Sequence, residues 1–159
     1  MKKITVLCAF ILAMSSSCDK DKFESTPTLE IKEIKPEVVN PNKTLQVTLE
    51  FTDKEGDVFA TNQNLNLIVI RERLNIRGTR TDSTLRFAVP PFPEKYKGEI
   101  LLNIPHGGFS GIISNLPAIL IPGTGGMEFE PDTLRLGFVL KDTTGNKSDT
   151  PRANIIVIR

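Results

Sequence analysis

The stretch that decides the fold is residues 44–53, Thr-Leu-Gln-Val-Thr-Leu-Glu-Phe-Thr-Asp, in which apolar and polar side chains alternate without a break. Leu45, Val47, Leu49 and Phe51 fall on one side of an extended chain, and the polar residues between them fall on the other. A period of two residues is typical of a β-strand with one face on a core and one face in water. We therefore predict a strand here that buries its four apolar side chains.

The rest of the sequence also favours strands over helices. Residues 134–140 alternate in the same way, and a loop at 142–146 joins them to a last apolar run at 153–158, which predicts a β-hairpin. After residue 18, no long stretch keeps the helical spacing of apolar residues, and the chain carries 11 Pro and 11 Gly. The other predicted strands are residues 29–34, 64–70, 85–89 and 98–104.

Together these runs predict an all-β domain at residues 28–159, with about seven strands in an antiparallel sandwich of two sheets. The connection at residues 105–126 is harder to interpret. It holds glycine-rich turns around an apolar piece that contains Pro117 and Pro122, and proline does not fit a central strand. An inserted edge hairpin and a packed loop that covers one end of the sandwich both fit this composition.

The first 17 residues have the layout of a secretory signal peptide. Lys2 and Lys3 precede an apolar stretch of 11 residues, and three serines follow it. About 20 apolar residues are needed to span a bilayer as a helix, so a permanent transmembrane span is a poor alternative. Cys18, directly after the serines, resembles the lipobox cysteine of bacterial lipoproteins. That resemblance implies removal of residues 1–17 and attachment of diacylglycerol and an N-acyl chain, such as palmitate, to Cys18.

Residues 18–27 form a polar tether between this cysteine and the first strand. Their mixed Asp and Lys residues resemble the charged segment behind the lipidated cysteine in lipoproteins of the Bacteroidetes group. The resemblance implies a cell-envelope protein of the outer membrane, on its periplasmic or its surface-exposed face; a plain solvated linker is the alternative. Since Cys8 lies in the leader and Cys18 carries lipid, the predicted mature chain forms no disulfide.

Composition narrows the class of partner. The chain has 20 Lys and Arg against 19 Asp and Glu, and this balance argues against nucleic-acid binding, which needs a basic surface. Trp is absent and Tyr96 is the only Tyr, so the stacking platform of many carbohydrate binders is scarcely available. Protein partners are therefore favoured over carbohydrate, and the lipid anchor makes the membrane a further partner.

Two acidic loops follow predicted strands, at residues 51–58 and 140–149. They resemble the F-x-D-x-x-G-D and D-x-x-G-N-x-S loops of immunoglobulin-like domains, of the cadherin and fibronectin kind, that are common in Bacteroidetes lipoproteins. The resemblance implies an immunoglobulin-like β-sandwich in which both loops lie at the same end.

If the loops converge, their side-chain oxygens suit Ca²⁺, which takes six to eight oxygen ligands from flexible loops. A lone His and no mature thiol argue against zinc. The alternative is turn chemistry, in which Asp and Asn bond their own backbone and glycine supplies a positive φ. No cofactor is required by this interpretation. The candidate metal ligands are Asp53, Glu55, Asp57, Asp142, Asn146 and Asp149.

Other motifs do not predict catalysis. His106 lacks a positioned acid and a nucleophile-elbow motif, and the glycines at 123–126 lack the Lys and Ser/Thr of a phosphate loop. Arg71 and Arg73 belong to a mixed-charge cluster around Gly78, which fits an anion-binding patch or an ordinary solvated hairpin edge. The sequence thus predicts a non-enzymatic, lipid-anchored binding or assembly module. The alternative is a structural spacer or envelope-complex subunit with no ligand of its own.

Overall fold

The structure, a computed structural model, describes residues 25–59, 65–77, 82–91, 96–126 and 128–159. Eight β-strands form two sheets in this part of the chain, and none of the described residues is helical. The all-β prediction is therefore confirmed. The strands are β1 Thr28–Lys35, β2 Val38–Val39, β3 Thr44–Thr52, β4 Leu67–Arg73, β5 Asp82–Phe87, β6 Lys97–Pro105, β7 Asp132–Leu140 and β8 Arg152–Val157.

The smaller sheet has the order β1-β3-β6, and both of its pairs are antiparallel. The larger sheet has the order β2-β8-β7-β4-β5, and it is antiparallel except where β2 runs parallel to β8. One hydrophobic core takes buried side chains from both sheets. The chain thus folds as a sandwich-like pair of sheets around a shared core.

The alternation in β3 places its side chains as the sequence predicts. Leu45, Val47 and Leu49 are fully buried and Phe51 is nearly so, while the polar residues between them reach the surface in part. In β7, the apolar residues at 134, 136, 138 and 140 are likewise fully buried. Period-two patterning predicts these faces because successive side chains of a strand point to opposite sides.

All seven predicted strands occur, with shifted bounds. The run predicted at 64–70 is β4, Leu67–Arg73, and residue 64 lies outside the described residues; the run predicted at 85–89 is β5, Asp82–Phe87. The additional strand is β2, whose two residues pair with the end of β8. A strand of two residues is too short to show a period, so the sequence pattern does not reveal it.

The predicted hairpin forms between β7 and β8, but its connection is longer than the predicted loop. The last residues in regular register are Gly137 and Arg152, and beyond them the pairing is irregular: the N–H of Phe138 donates to the carbonyl of Pro151, and that of Ser148 to the carbonyl of Leu140. The chain then makes a narrower turn of its own, which a bridge between Lys141 and Lys147 closes. Residues 142–146 are therefore the tip of a small turn at the end of an irregular hairpin.

The interpretation of Arg71 and Arg73 as part of a solvated hairpin edge is wrong. Both are nearly fully buried, because the inward-facing positions of β4 continue from Leu67 and Val69 to these two arginines. Nη1 of Arg71 donates to the carbonyl of Ile112, 2.7 Å away. Backbone carbonyls accept hydrogen bonds from an Nη atom of each arginine, and Asp132 pairs with Arg73, which offsets part of the cost of burying the charges, although Nε of each arginine is buried without a partner.

The connection after β6 combines the two alternatives: its first part is a loop packed on the core, and its second part folds back in one short antiparallel turn, in which the N–H of Ile121 donates to the carbonyl of Glu128 and the N–H of Glu130 to that of Ile119. Ile112 and Leu116 are buried in the core, and a single bridge between Leu120 and Phe129 is the only strand-like pairing in the described residues from 106 to 131. The loop is fixed by Arg71 in β4 and by Arg159 after β8, whose Nη2 donates to the carbonyl of Leu116 at 3.0 Å. It covers one end of the sandwich.

The two ends of the sandwich are defined by strand register. We call the end that contains the C-terminal ends of β3 and β7 the acidic end, and the other the distal end. Thr28 faces Thr52 across the β1–β3 pair, so the chain enters β1 at the acidic end. Residues 1–17 and the first part of the tether, 18–24, lie outside the described residues, so the leader and Cys18 are not part of this description. No helix among the described residues is long and apolar enough to cross a membrane.

Candidate functional site: an acidic cluster between two loops

Three of the six predicted ligand residues form one cluster at the acidic end. Asp53, Asp57 and Asp142 each offer a carboxylate oxygen, and these oxygens lie within 4.8 Å of one another. The first two follow β3 and the third follows β7, so the two acidic loops do converge. The prediction that they share one end of the sandwich is confirmed.

Asp53 organises the first loop. It is fully buried, and its backbone N–H donates to the carbonyl of Tyr96 at 2.8 Å, which holds it at the end of β3. Its Oδ2 accepts hydrogen bonds from the backbone N–H of Gly56 at 2.7 Å and of Asp57 at 3.1 Å. Gly56 has a φ of +72°, a conformation that glycine adopts without steric cost and that turns the chain back toward Asp53.

Asp57 joins the first loop to the second. Its Oδ2 accepts a hydrogen bond from the hydroxyl of Thr143, and its backbone carbonyl accepts one from the backbone N–H of Thr143 at 3.2 Å. These contacts connect residues that are 86 positions apart. Asp57 therefore lies between the turn that Asp53 organises and the turn that Asp142 organises.

Asp142 organises the second loop. Its Oδ1 accepts hydrogen bonds from the backbone N–H of Asn146 at 2.8 Å and from the hydroxyl of Thr144 at 2.9 Å. Its Oδ2 accepts one from Nδ2 of Asn146, also at 2.8 Å. Gly145 has a φ of +97°, which closes this turn. The turn chemistry expected of the D-x-x-G-N sequence is therefore present.

The carboxylates differ in their electrostatic surroundings. Burial raises the pKa of Asp53, the backbone N–H groups of Asp57 and Gly56 oppose this effect, and the nearby Asp57 carboxylate adds to it. Burial alone would also raise the pKa of Asp142, but the hydrogen bonds from Asn146 and Thr144 outweigh it and hold that pKa below its usual value. Asp142 is therefore stabilised as an anion, whereas Asp53 is charged at an energetic cost.

The other three predicted ligands lie outside this cluster. Glu55 is exposed on the same loop. Asn146 is exposed and directs its side-chain amide N–H groups at Asp142 and Thr144. Asp149 accepts a hydrogen bond from the backbone N–H of Leu29 at 3.0 Å and so ties the start of β1 to the hairpin. Calcium binding by the converged carboxylates stays a prediction.

Asn66 is a structural residue of the site that sequence patterns do not reveal. It is nearly buried, and its Nδ2 donates to the carbonyls of Val58 at 2.9 Å and Lys141 at 3.1 Å, one in each acidic loop. Its Oδ1 accepts the N–H of Val89 at 3.0 Å. A single Asn before an apolar run looks like an ordinary strand-end residue, and only the fold brings its three partners around it.

At the distal end, the acidic group Asp132 is paired with arginines, unlike the carboxylates of the acidic end. Nη2 of Arg73 lies 2.8 Å from Oδ1 of Asp132, and Arg159 contacts the other oxygen of Asp132 at 2.6 Å. Nε2 of His106 is 2.6 Å from the carbonyl oxygen of Ile158. These contacts join the packed loop to the ends of the strands, so each of these polar groups has a structural role.

Comparisons with known proteins add little. No protein-family model matches the chain, and a search of curated proteins gave no match. The sporulation control protein Spo0M of Bacillus subtilis is similar at a TM-score of 0.43 and 10% identity, over 86% of this chain and 51% of that one. A β-glucosidase of Listeria innocua, solved in complex with gluconolactone, is similar at a TM-score of 0.41 and 12% identity. The match covers 84% of this chain and 16% of the β-glucosidase chain.

AvmM, which catalyses macrocyclization in alchivemycin A biosynthesis, gives a TM-score of 0.28 and 11% identity, over 86% of this chain and 90% of that one. The chain spans about half of Spo0M and about a sixth of the β-glucosidase. At these TM-scores and identities, the similarities support no argument about function.

Proposed function

We propose that this protein is a lipid-anchored protein of the bacterial cell envelope, in the outer membrane, whose immunoglobulin-like domain is a non-catalytic binding or assembly module. The observation that carries the proposal is the position of Cys18. It follows a short apolar leader and three serines, and it precedes the first strand by only ten residues. Lipid on Cys18 would therefore keep the domain close to a membrane.

The strand order supports an immunoglobulin-like domain. In the usual lettering, β1, β3 and β6 correspond to strands A, B and E of one sheet. The neighbours β8, β7, β4 and β5 correspond to G, F, C and C′ of the other. In this scheme the loop after β3 and the loop after β7 are the B–C and F–G loops, which share one end of the sandwich.

The entry point of the chain gives the module an orientation. The tether reaches β1 at the acidic end, and ten extended residues span at most about 33–36 Å. The acidic end would then face the membrane and the distal end would face away from it. The distal end carries Ile76 and Phe109, which at 100% and 95% exposure are the most exposed large hydrophobic side chains of the described residues.

Exposed aromatic and aliphatic side chains are typical anchors of protein–protein contacts. Ile76 lies beyond the end of β4, and Phe109 lies in the loop after β6, so two separate segments offer apolar contacts at the same end. We therefore assign the partner-binding surface to the distal end. The partner would be a protein, consistent with the scarcity of Tyr and Trp in the sequence.

Membrane partitioning tests the anchor. The Cys18→Ala variant should be lost from the detergent phase and from washed membranes, because the thiol that would carry the lipid is gone. The Cys8→Ala variant is the matched control, since Cys8 lies in the predicted leader and should not affect attachment. Membrane attachment of the Cys18→Ala protein equal to that of the unmodified protein would contradict the proposal.

A cross-linking pull-down from intact cells tests the binding role. The unmodified protein should capture a defined set of envelope proteins, and the double variant Ile76→Ser, Phe109→Ser should capture less of them. Leu101, which is 62% exposed on β6, provides a control substitution, Leu101→Ser, at an exposed apolar residue outside these two segments. If the double variant captures the same proteins in the same amounts, the spacer alternative is favoured.

A further inference from the structure

The acidic cluster brings negative charges together without a positive partner. The three carboxylate oxygens lie within 4.8 Å of one another, and no ion pair in the described part of the chain joins Asp53, Asp57 or Asp142 to Lys or Arg. Like charges at this separation repel strongly where water is excluded. A neutralising group is therefore expected at this place.

A second observation, independent of the number of acids, points to a ligand. The side chain of Asp53 is 0% exposed, and its Oδ1 atom has no hydrogen-bond partner. The Oδ1 atom of Asp57 is also buried and also has no hydrogen-bond partner. Buried polar atoms are nearly always satisfied in native proteins. The backbone N–H groups and the Thr143 hydroxyl bond the other oxygen of each carboxylate, so turn chemistry does not account for the two Oδ1 atoms.

We propose that the loop after β3 and the loop after β7 bind a calcium ion between them through Asp53, Asp57 and Asp142. Calcium binds oxygen ligands at about 2.3–2.6 Å, so ligands on opposite sides of the ion lie up to about 4.6–5.2 Å apart, which spans the observed cluster. The three carboxylates supply part of its six to eight oxygens, and water supplies the others. The role is structural, because the ion would join the two loops.

Hydrogen bonds that hold the carboxylates in place before any ion binds support the assignment of a calcium site. Asp57 is fixed by Thr143, Asp142 by Asn146 and Thr144, and both loops by the Asn66 amide. The carboxylates therefore need little reorganisation to bind, which lowers the entropic cost of binding. This inference is independent of the lipid anchor and of the distal surface.

Thermal unfolding of the full chain, purified in detergent and stripped with chelator, tests the site. A ligand that binds only the folded state stabilises it by RT ln(1 + [L]/Kd), so millimolar Ca²⁺ should raise Tm by on the order of 5 °C, reversibly with chelator. Mg²⁺ at the same concentration should give a smaller shift, since it requires tighter octahedral geometry. Titration calorimetry should give one Ca²⁺ per chain.

Substitutions separate a built site from general charge screening. Asp57→Asn and Asp142→Asn should each abolish the Ca²⁺ shift, because each loop supplies part of the ligand set. In chelator, Asp57→Asn should melt at or above the unmodified protein, since it removes one repelling charge; this readout also shows that the variant folds. Glu55→Gln is the matched control, because Glu55 has the same charge on the same loop and lies outside the cluster, and it should keep the full shift.

Three outcomes would overturn the proposal. The first is a Tm that does not respond to Ca²⁺ or chelator in the unmodified protein, which would mean that a shared proton, and not a metal, neutralises the cluster. The second is an equal response to Mg²⁺. The third is a Ca²⁺ shift that survives in Asp57→Asn, which would place the ion elsewhere.

Discussion

At the scale of single residues, Leu49 and Thr48 show how neighbouring positions of one strand take opposite roles. The side chain of Leu49 is fully buried in the core, whereas that of Thr48 lies on the outer face of the smaller sheet and is half-buried. Removal of a buried side chain costs both its transfer free energy and the cavity that it leaves, and removal of a surface hydroxyl costs neither. Adjacent substitutions of similar chemical size should therefore have very different effects.

We expect Leu49→Ala to lower the free energy of unfolding by about 2–5 kcal/mol and Thr48→Ala by well under about 1 kcal/mol. Urea denaturation of the two variants, monitored by circular dichroism, measures both values. Equal losses at the two positions would contradict the register of β3.

Glu55 and Asp57 show that residue type and spacing do not determine the direction of a loop side chain. Glu55 and Asp57 differ by two positions in one loop, yet only Asp57 reaches the cluster, while Glu55 is exposed. The sequence pattern indicates both equally, because it reports residue type and spacing and not direction. Which acid faces inward depends on the turn that Asp53 and Gly56 form.

At the scale of elements, β4 departs from a simple core strand. Its inner face begins with Leu67 and Val69 and continues with Arg71 and Arg73, which reach beneath the loop after β6. Nη1 of Arg71 donates to Ile112 and, at 3.3 Å, to Gly111. The strand therefore supports the packed loop through hydrogen bonds to its backbone, in addition to apolar contact.

We expect Arg71→Ala to cost on the order of 3 kcal/mol of unfolding free energy, because it leaves a cavity and removes the donor of two buried carbonyls. Limited proteolysis should then cut the loop after β6 faster. Arg135→Ala is the control, since the 3.4 Å ion pair of Arg135 with Glu72 is partly exposed and should contribute less than about 1 kcal/mol. Equal proteolysis of the two variants would exclude a role for Arg71 in fixing the loop.

At the scale of the whole molecule, the entry of the chain at the acidic end has a consequence for its orientation. Strands of nine residues make the sandwich about 30 Å long, so if the protein is anchored through Cys18 as proposed, its two ends differ in their distance from the membrane by about that length. The exposed residues Lys54, in the first acidic loop, and Ile76, at the distal end, mark these two ends.

Fluorophores on Lys54→Cys and Ile76→Cys variants of the lipidated protein should report this difference. In vesicles that carry a headgroup-attached quencher, the label at position 54 should be quenched more than the label at position 76. If Cys18 is acylated and Cys8 is removed with the leader, as we propose, no other thiol competes for the label. Equal quenching, or stronger quenching at position 76, would contradict an acidic end that faces the membrane.

The sequence by itself determined the fold class and the positions of seven strands, and it indicated that two acidic loops follow them. These features are local: alternation sets the two faces of a strand, and the Asp, Asn and Gly residues set the turns. The same locality explains the failures. The two-residue strand β2 shows no period, and the charged residues Arg71 and Arg73 carry no local sign of burial.

Only the tertiary structure decided which residues meet. Contact between Asp57 and Thr143 joins positions 86 apart, and it exists because β3 and β7 end at the same end of two packed sheets. The choice of three ligand residues from six candidates, the bridging role of Asn66 and the entry of β1 at the acidic end all follow from this long-range pairing. Sequence spacing cannot specify them, because the direction of a loop side chain depends on strand register and on how the sheets pack.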